Sequence, residues 1–199
     1  MKSIHKIAAL SAVLGPIQSV LGWLICGALF AGYDPVRQTI SELASPESPT
    51  HILQSAFFIF GGTLTIIGAV YARTLALPGR VALFISGLCT YGLTVFPTPL
   101  IGSSAAHRFF AIGSFVLSAG WPLFAMRFRR DAHWIIRPIA AVGQTLLQAA
   151  LAIVFLIVWA DPQATNVGVW ERVVTTAQSL QVTVVVLVLY FSQRRVNTQ

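Results

Sequence analysis

The 199-residue chain is 56% hydrophobic and only 10% charged, whereas a soluble domain carries roughly 25% charged residues. This deficit excludes an ordinary water-soluble fold, and apolar runs of about twenty residues favour membrane-spanning helices over the shorter alternating strands of a barrel. The net charge of +7 is explained by basic loops between the runs, so we expect no nucleic-acid partner.

Six apolar stretches follow one another along the chain, and each is predicted to form one membrane-spanning helix. The first is longer than the apolar region of a signal peptide and lacks a good cleavage site, so it is interpreted as a retained helix. A loop from Tyr33 to Thr50 follows, with a short interfacial helix expected at residues 39–44. The predicted spans are 7–32, 51–71, 81–96, 107–126, 138–159 and 170–191, so residues 1–199 form a single all-α domain, a polytopic transmembrane bundle of six helices.

The charged residues predict the orientation of this bundle. With the N-terminus inside, the outer segments hold only Arg37, Arg108 and Arg172, and the other ten of the thirteen basic residues fall in cytoplasmic segments. The positive-inside rule therefore places both termini in the cytoplasm of a multi-pass protein of the cytoplasmic (plasma) membrane. Five of the six acids fall outside, and these are Asp34, Glu42, Glu47, Asp161 and Glu171.

Polar residues are concentrated at the outer ends of the predicted spans. We predict that they line an outer-facing, ligand-binding pocket made of Asp34, Arg37, Ser41, Glu42, His107, Arg108, Glu171 and Arg172. An unpaired charge at the membrane boundary is costly, so the arginines need acid partners. The competing interpretation is purely structural, with salt bridges that staple loops to helix ends.

The chemistry of such a pocket stays open at the level of sequence. Arg108 and Arg172 would suit an anionic head group, because a guanidinium binds phosphate through two hydrogen bonds. His107 beside acids could transfer protons, and Ser41, His107 and Asp34 could be drawn as a hydrolase triad. Triads are recognised by geometry, and the chain has no GxSxG elbow, so the catalytic residues stay unknown.

No metal or cofactor is predicted. The chain has no HExxH motif or closely spaced histidine pair, and zinc needs three or four ligands at defined geometry. Haem b needs two axial histidines within spans, whereas His51 and His107 only border them. Cys26 and Cys89 lie inside apolar spans and are interpreted as small hydrophobic residues.

The interiors of the spans carry polar residues but no charges near their centres, which argues against a proton-coupled pump or a voltage sensor. Gln144 and Gln148 share a face of the fifth span, and Thr175, Gln178 and Ser179 share a face of the sixth. We favour hydrogen bonds between helices for these side chains, with the polar wall of a cavity as the alternative.

Small residues four positions apart predict close helix contacts. These are Ser114 and Ser118 in the fourth span, and Gly27 and Ala31 in the first. Small side chains allow neighbouring backbones in a membrane to approach one another. We therefore expect each pair to face another helix.

Several short motifs carry a family resemblance. Tyr33-Asp34-Pro35, Ile40-Ser41-Glu42-Leu43, Phe96-Pro97 ahead of His107-Arg108, and Glu171-Arg172 at the start of the last span resemble the pattern of a six-span prokaryotic membrane family. This family is domain of unknown function 998, and the resemblance covers essentially the whole chain. It implies a six-helix membrane fold and marks the outer cluster as a shared feature, but it implies no activity.

We therefore predict an integral membrane protein that binds or handles a lipid or small amphiphile at the outer-facing pocket. One alternative is a membrane-embedded lipid hydrolase or transferase that uses the same cluster. Another is a structural or accessory subunit of a larger membrane complex. The expected partners are membrane lipids, and partner membrane subunits or a second copy of the chain are further candidates.

Overall fold

The computed structural model describes residues 4–197, and side chains up to residue 194, and its regular structure is helical. Within those residues the strand-like pairing is limited to an isolated bridge between Ile4 and Ala72, so the all-α prediction is confirmed. Short 3-10 turns occur at Ser41–Ala44 and Trp134–Ile136. The six long helices are α1 (Lys6–Leu29), α2 (His51–Tyr71), α3 (Leu77–Val95), α4 (Ala105–Ala125), α5 (Pro138–Ala160) and α6 (Val167–Asn197).

The helix boundaries differ from the predicted spans mainly at three places. Helix α1 ends three residues early, where the chain turns through Gly32 at a φ of 83°, a conformation that favours glycine. Helix α3 begins at Leu77 rather than at residue 81, because Pro78 is accommodated in its first turn. Helix α6 continues past residue 191 to Asn197. The interfacial helix predicted at residues 39–44 is the shorter 3-10 turn at Ser41–Ala44.

The six helices form a closed ring. Each helix packs against its neighbours in sequence, and α6 also packs against α1, where the Thr183 hydroxyl donates to the Ala12 carbonyl at 2.6 Å. Short connections make successive helices antiparallel, so the loops alternate between the two ends of the ring. One end holds the start of α1, the loops 72–76 and 126–137, and the end of α6. The other end holds the loops 30–50, 96–104 and 161–166.

Charge is sorted between these two ends. The first end carries Arg73 and the four arginines of loop 126–137, and we call it the basic end. Its acid, Asp131, pairs with Arg129 at 2.7 Å. The opposite end carries the other five acids and is called the acidic end below. The fold thus brings together, at each end, the segments that the positive-inside rule assigns to the same side.

Close contacts between helices depend on small residues. A Cβ atom on Gly62 of α2 would lie 2.8 Å from the carbonyl oxygen of Gly87 in α3, so the two backbones touch. The contact predicted for Ser118 is confirmed, because its hydroxyl lies 2.8 Å from that of Ser86 in α3. The prediction for Gly27 is wrong. A Cβ atom added at Gly27 would lie 3.2 Å from the ring of Tyr33, which belongs to the following loop and not to another helix. Ala31, its predicted companion, lies beyond the end of α1.

Five of the six helices are long and apolar enough to cross a membrane, namely α1, α2, α4, α5 and α6 up to Arg194. Helix α3 has 19 residues but does not reach the same apolarity, since it carries Arg80 and several hydroxyl side chains. Large apolar side chains cover the outside of the ring, including Leu10, Val116, Leu146 and Ile157, each more than half exposed. An apolar exterior suits lipid rather than water, so the chain is a multi-pass membrane protein.

Candidate functional site

A cavity of about 190 Å³ lies inside the helix ring. It extends from Ser41 and Glu171 at the acidic end to Gly15 and Val182 near the middle of α1 and α6. Helices α1, α2, α3, α4 and α6 supply its walls together with the turn at Ile40 and Ser41, and α5 packs outside it. The ring therefore encloses a chamber that begins beneath the loop 30–50.

The cavity lining contains many polar side chains, although most of its surface is apolar. Among the residues that the structure describes, one carboxylate and twelve hydroxyl or amide side chains line it, and no lysine or arginine does. The polar lining consists of Gln18, Ser19, Ser41, Gln54, Thr65, Ser86, Thr90, Ser114, Ser118, Glu171, Thr175, Gln178 and Ser179. Polar groups inside a membrane are costly unless they are paired or face water or a ligand.

Most of the hydroxyls in the lining are satisfied locally. Thr65 and Thr175 donate to the carbonyls of Gly61 and Glu171, one helical turn back, at 3.0 and 2.8 Å. Two glutamines differ: the Oε1 atoms of Gln18 and Gln54 are buried and have no hydrogen-bond partner within the described structure. Gln54 is only 2% exposed. A buried acceptor without a partner costs about 1–3 kcal/mol, so a ligand donor that reached either atom would offset this cost.

Glu171 lies at the acidic end of the cavity and is itself buried, with 6% of the residue exposed. Its carboxylate accepts the backbone N–H of Ile40 and, at 3.4 Å, the hydroxyl of Ser41. The same junction is held by the backbone N–H of Gly168, which donates to the carbonyl of Val36 at 3.0 Å. A carboxylate offers about four acceptor positions, so these two bonds do not exhaust Glu171.

Arg172 fastens the loop 30–50 to α6. Its Nη1 donates to the carbonyls of Pro35 and Gln38 at 2.9 and 3.1 Å, and its Nη2 donates to the Tyr33 hydroxyl. The guanidinium also lies over the Trp23 ring, 5.0 Å from its centroid. The acid partner expected for this arginine is therefore replaced by backbone carbonyls of the loop, which have no donor from a helix. Burial raises the pKa of Tyr33 above its ordinary value.

Asp34, Arg37 and Glu42 organise the same loop. Asp34 accepts the N–H of Val36 at 2.9 Å, and its other oxygen lies 3.6 Å from the Arg37 Nε in an exposed ion pair. Glu42 accepts both the N–H and the hydroxyl of Thr39 at 3.0 Å. None of the three acidic and basic side chains is among the residues that line the cavity.

His107 and Arg108 lie in the first turn of α4, away from the loop 30–50. The Nδ1 of His107 donates to the carbonyl of Phe96 at 2.9 Å, since a carbonyl can only accept, and the residue is 3% exposed. Arg108 is exposed and its guanidinium lies 5.5 Å from the centroid of the Trp159 ring. The described ion pairs of the chain are Arg37–Asp34 and Arg129–Asp131, so the acid partner expected for Arg108 is replaced by an aromatic face.

The eight residues predicted as a ligand site are thus divided by the structure. Ser41 and Glu171 line the cavity, whereas the others hold the loop 30–50 or the start of α4. The three residues of the drawn triad also have different partners, since Ser41 bonds Glu171, His107 bonds a carbonyl and Asp34 lies beside an arginine. A direct role of the other six in ligand binding stays a prediction.

The polar residues predicted inside spans five and six differ in their bonding. Gln148 donates to the Ala177 carbonyl, and Gln178 donates to the Phe115 carbonyl, each at 3.1 Å, so hydrogen bonding between helices is confirmed for these two. The prediction is wrong for Gln144, which donates to the Ile135 carbonyl just before α5, and for Thr175 and Ser179, which donate to carbonyls of α6 itself. Thr175, Gln178 and Ser179 also line the cavity. Sequence reasoning missed Gln18, Gln54 and Ser86, although polar side chains within apolar stretches were the available signal.

A family model described as Protein of unknown function (DUF998) matches residues 13–188, and the chain belongs to this family. The matched region begins within α1 and ends within α6, so it includes the whole cavity lining. The resemblance seen in the sequence is confirmed, and the family description carries no activity. No curated protein and no solved structure matches the chain.

Proposed function

We propose that this protein binds a small amphiphile, or the head group of a lipid, in the cavity inside its helix ring. One observation carries the proposal: Gln54 is almost fully buried beside the cavity, and its Oε1 has no hydrogen-bond partner within the described structure. An interior without a ligand would be more stable with an apolar side chain at this position. A ligand that donates a hydrogen bond would offset the cost.

The size of the cavity supports a small ligand or a head group. At about 190 Å³ it is slightly larger than an apolar cavity of about 150 Å³ that accommodates benzene. Pockets for drug-sized ligands are larger, at about 300–1,000 Å³. A complete phospholipid does not fit, so acyl chains would have to lie outside the ring.

The proposal includes an orientation. We propose that all six helices cross the cytoplasmic membrane and that both termini are cytoplasmic. Helix α3 connects the two ends of the ring between α2 and α4, and the basic end carries the segments that the positive-inside rule assigns to the cytoplasm. The acidic end, with Glu171 and the loop 30–50, then faces outward, and ligands reach the cavity from that side.

Filling the cavity tests this function. A Cβ atom added at Gly15, which lines the cavity, would meet no other atom within 4 Å, and the same holds at Gly143 on α5, outside the lining. We expect the protein purified in mild detergent to retain a small molecule detectable by mass spectrometry of its extract. Gly15→Leu should remove that molecule, and the matched variant Gly143→Leu should retain it.

Two results would count against the proposal. One is an extract from the wild-type protein that contains nothing beyond detergent and bulk lipid. The other is equal retention of the molecule by Gly15→Leu and Gly143→Leu. The lipid hydrolase or transferase and the accessory subunit stay alternative predictions, as do a partner subunit and a second copy of the chain.

A further inference from the structure

The charge of the cavity lining restricts what the cavity can hold. Glu171 is the charged side chain in that lining, and it is buried. Its two oxygens receive a backbone N–H and a hydroxyl but take part in neither of the described ion pairs. A buried carboxylate without a directly bonded cation is disfavoured in its charged form and binds a proton instead, so a cationic ligand at this site would stabilise the charged form of Glu171.

The basic residues at this end of the ring do not supply a positive charge by direct contact. The guanidinium of Arg172 is committed to the carbonyls of Pro35 and Gln38 and to Tyr33. Arg108 lies over Trp159, and Arg37 is exposed beside Asp34. None of these arginines lines the cavity.

The remaining lining favours a cationic donor as well. The free Oε1 atoms of Gln18 and Gln54 are acceptors that need an N–H or O–H group. Three phenylalanines, Phe57, Phe58 and Phe115, are among the apolar lining residues, and aromatic faces attract ammonium groups. A carboxylate, amide oxygens and aromatic rings in one cavity form a site for an ammonium ion that carries N–H groups.

We infer that the cavity binds the primary ammonium group of a small amine or of an aminolipid head, with Glu171 as its counter-ion. This inference rests on the proposed function and replaces the anionic head group that the sequence suggested. A primary ammonium carries three N–H donors, and the Glu171 carboxylate and the two free glutamine oxygens are acceptors for such donors. A phosphate or carboxylate ligand would meet acceptors of its own sign.

The competing explanation is that Glu171 only holds the turn at Ile40 and Ser41 against α6. Glu171→Gln separates the two roles, because the amide keeps an oxygen that accepts the Ile40 N–H but loses the charge. Glu47→Gln removes an exposed acid at the same end, outside the cavity lining, and serves as the matched control.

The test titrates the purified full-length protein with 2-aminoethanol by calorimetry, and with ethylene glycol as the neutral analogue of similar size. We expect Glu171→Gln to weaken 2-aminoethanol binding by about 10- to 100-fold, the range of one charge-assisted hydrogen bond. Thermal unfolding of this variant should stay close to that of the wild type, and Glu47→Gln should bind normally. Equal affinity of the wild type for both compounds, or unchanged affinity in Glu171→Gln, would overturn the inference.

A second arm identifies the source of the ammonium group. Protein reconstituted with phosphatidylethanolamine or with phosphatidylglycerol is compared for retained lipid after delipidation. Retention of phosphatidylethanolamine in the wild type and its loss in Glu171→Gln indicates an aminolipid, whereas binding of 2-aminoethanol without lipid retention indicates a free amine. Preferential retention of phosphatidylglycerol would overturn the inference.

A further variant tests the inference if Glu171→Gln does not fold. Gln54→Leu keeps the charge and removes a free acceptor, so it should weaken 2-aminoethanol binding, and unchanged affinity would count against the inference. One outcome would overturn the inference and leave the proposed function intact. If Gly15→Leu abolishes binding of a co-purified ligand while Glu171→Gln does not, the cavity binds its ligand without using the charge.

Discussion

Replacing Arg172 by lysine should release the loop 30–50 from α6 while the charge is kept. The guanidinium uses two nitrogens to reach acceptors on different parts of the loop, at Pro35, Gln38 and Tyr33. It also lies over the Trp23 ring. An ammonium places all its donors on one atom, so it can replace the contacts of Nη1 with the two carbonyls or the contact of Nη2 with Tyr33, but not both.

The magnitude follows from the contacts that are lost. One hydrogen bond to a charged group, worth about 1.5–2 kcal/mol after solvent competition, is removed. Weaker stacking on Trp23 adds about 0.5–1 kcal/mol. The docked loop should therefore lose about 2–3 kcal/mol relative to its open state. Because 1.4 kcal/mol is a factor of ten, this change increases the open population by about 30- to 150-fold.

Hydrogen exchange of backbone amides measures this opening directly. The amides of Ile40 and Gly168 bond across the junction between the loop and α6, so they should exchange faster in Arg172→Lys by that factor. Arg37→Lys alters an exposed ion pair worth less than about 1 kcal/mol, and it should change exchange little. Equal acceleration in both variants, or none in Arg172→Lys, would refute this account of the junction.

Three further predictions concern packing, topology and pH. Gly168→Ala should destabilise the docked loop by about 1–3 kcal/mol, because its Cβ would lie 2.1 Å from a backbone oxygen of that loop; hydrogen exchange measures the loss. In a variant without native cysteines, Gln163→Cys at the acidic end should react with a membrane-impermeant maleimide in intact cells, and Arg130→Cys at the basic end should react only after lysis. Burial lowers the pKa of His133 below its ordinary value of 6.5. The stability that its neutral imidazole contributes should therefore be fully present above pH 6.5 and should be lost at lower pH. Thermal unfolding of His133→Gln should show a smaller dependence on pH.

Each of these predictions has a result that contradicts it. Gly143→Ala is the control for Gly168→Ala, since a methyl group there meets no atom within 4 Å, and equal effects would remove the steric argument. Labelling of Arg130→Cys but not Gln163→Cys in intact cells would reverse the orientation. A pH dependence of stability that is the same in His133→Gln and in the wild type would assign the titration to another group.

The sequence determined the architecture because the bilayer imposes simple rules. Backbone groups in lipid must be paired within a helix, so apolar runs of suitable length predicted α2 and α5 almost to the residue. The separation of acids from bases likewise follows from which loop each residue occupies, and antiparallel helices carry that order into space. The family motifs were also present in the chain as contiguous residues.

The site depended on distances between residues that are far apart in the chain. Arg172 and Glu171 are adjacent in sequence, yet one bonds carbonyls of the loop 30–50 and the other lines the cavity. Their side chains point to different surroundings because α6 turns by about 100° per residue. No local pattern reveals which of the two faces the interior.

Local sequence thus determined the helices, their order and the end of the ring at which each charge lies, because these depend on hydrophobicity and chain connectivity. Tertiary structure alone decided that Gln18, Gln54 and Glu171, from three different helices, border one cavity. It also decided that the arginines are occupied elsewhere. Ring closure sets these contacts, since the direction in which each helix faces depends on how all its neighbours pack.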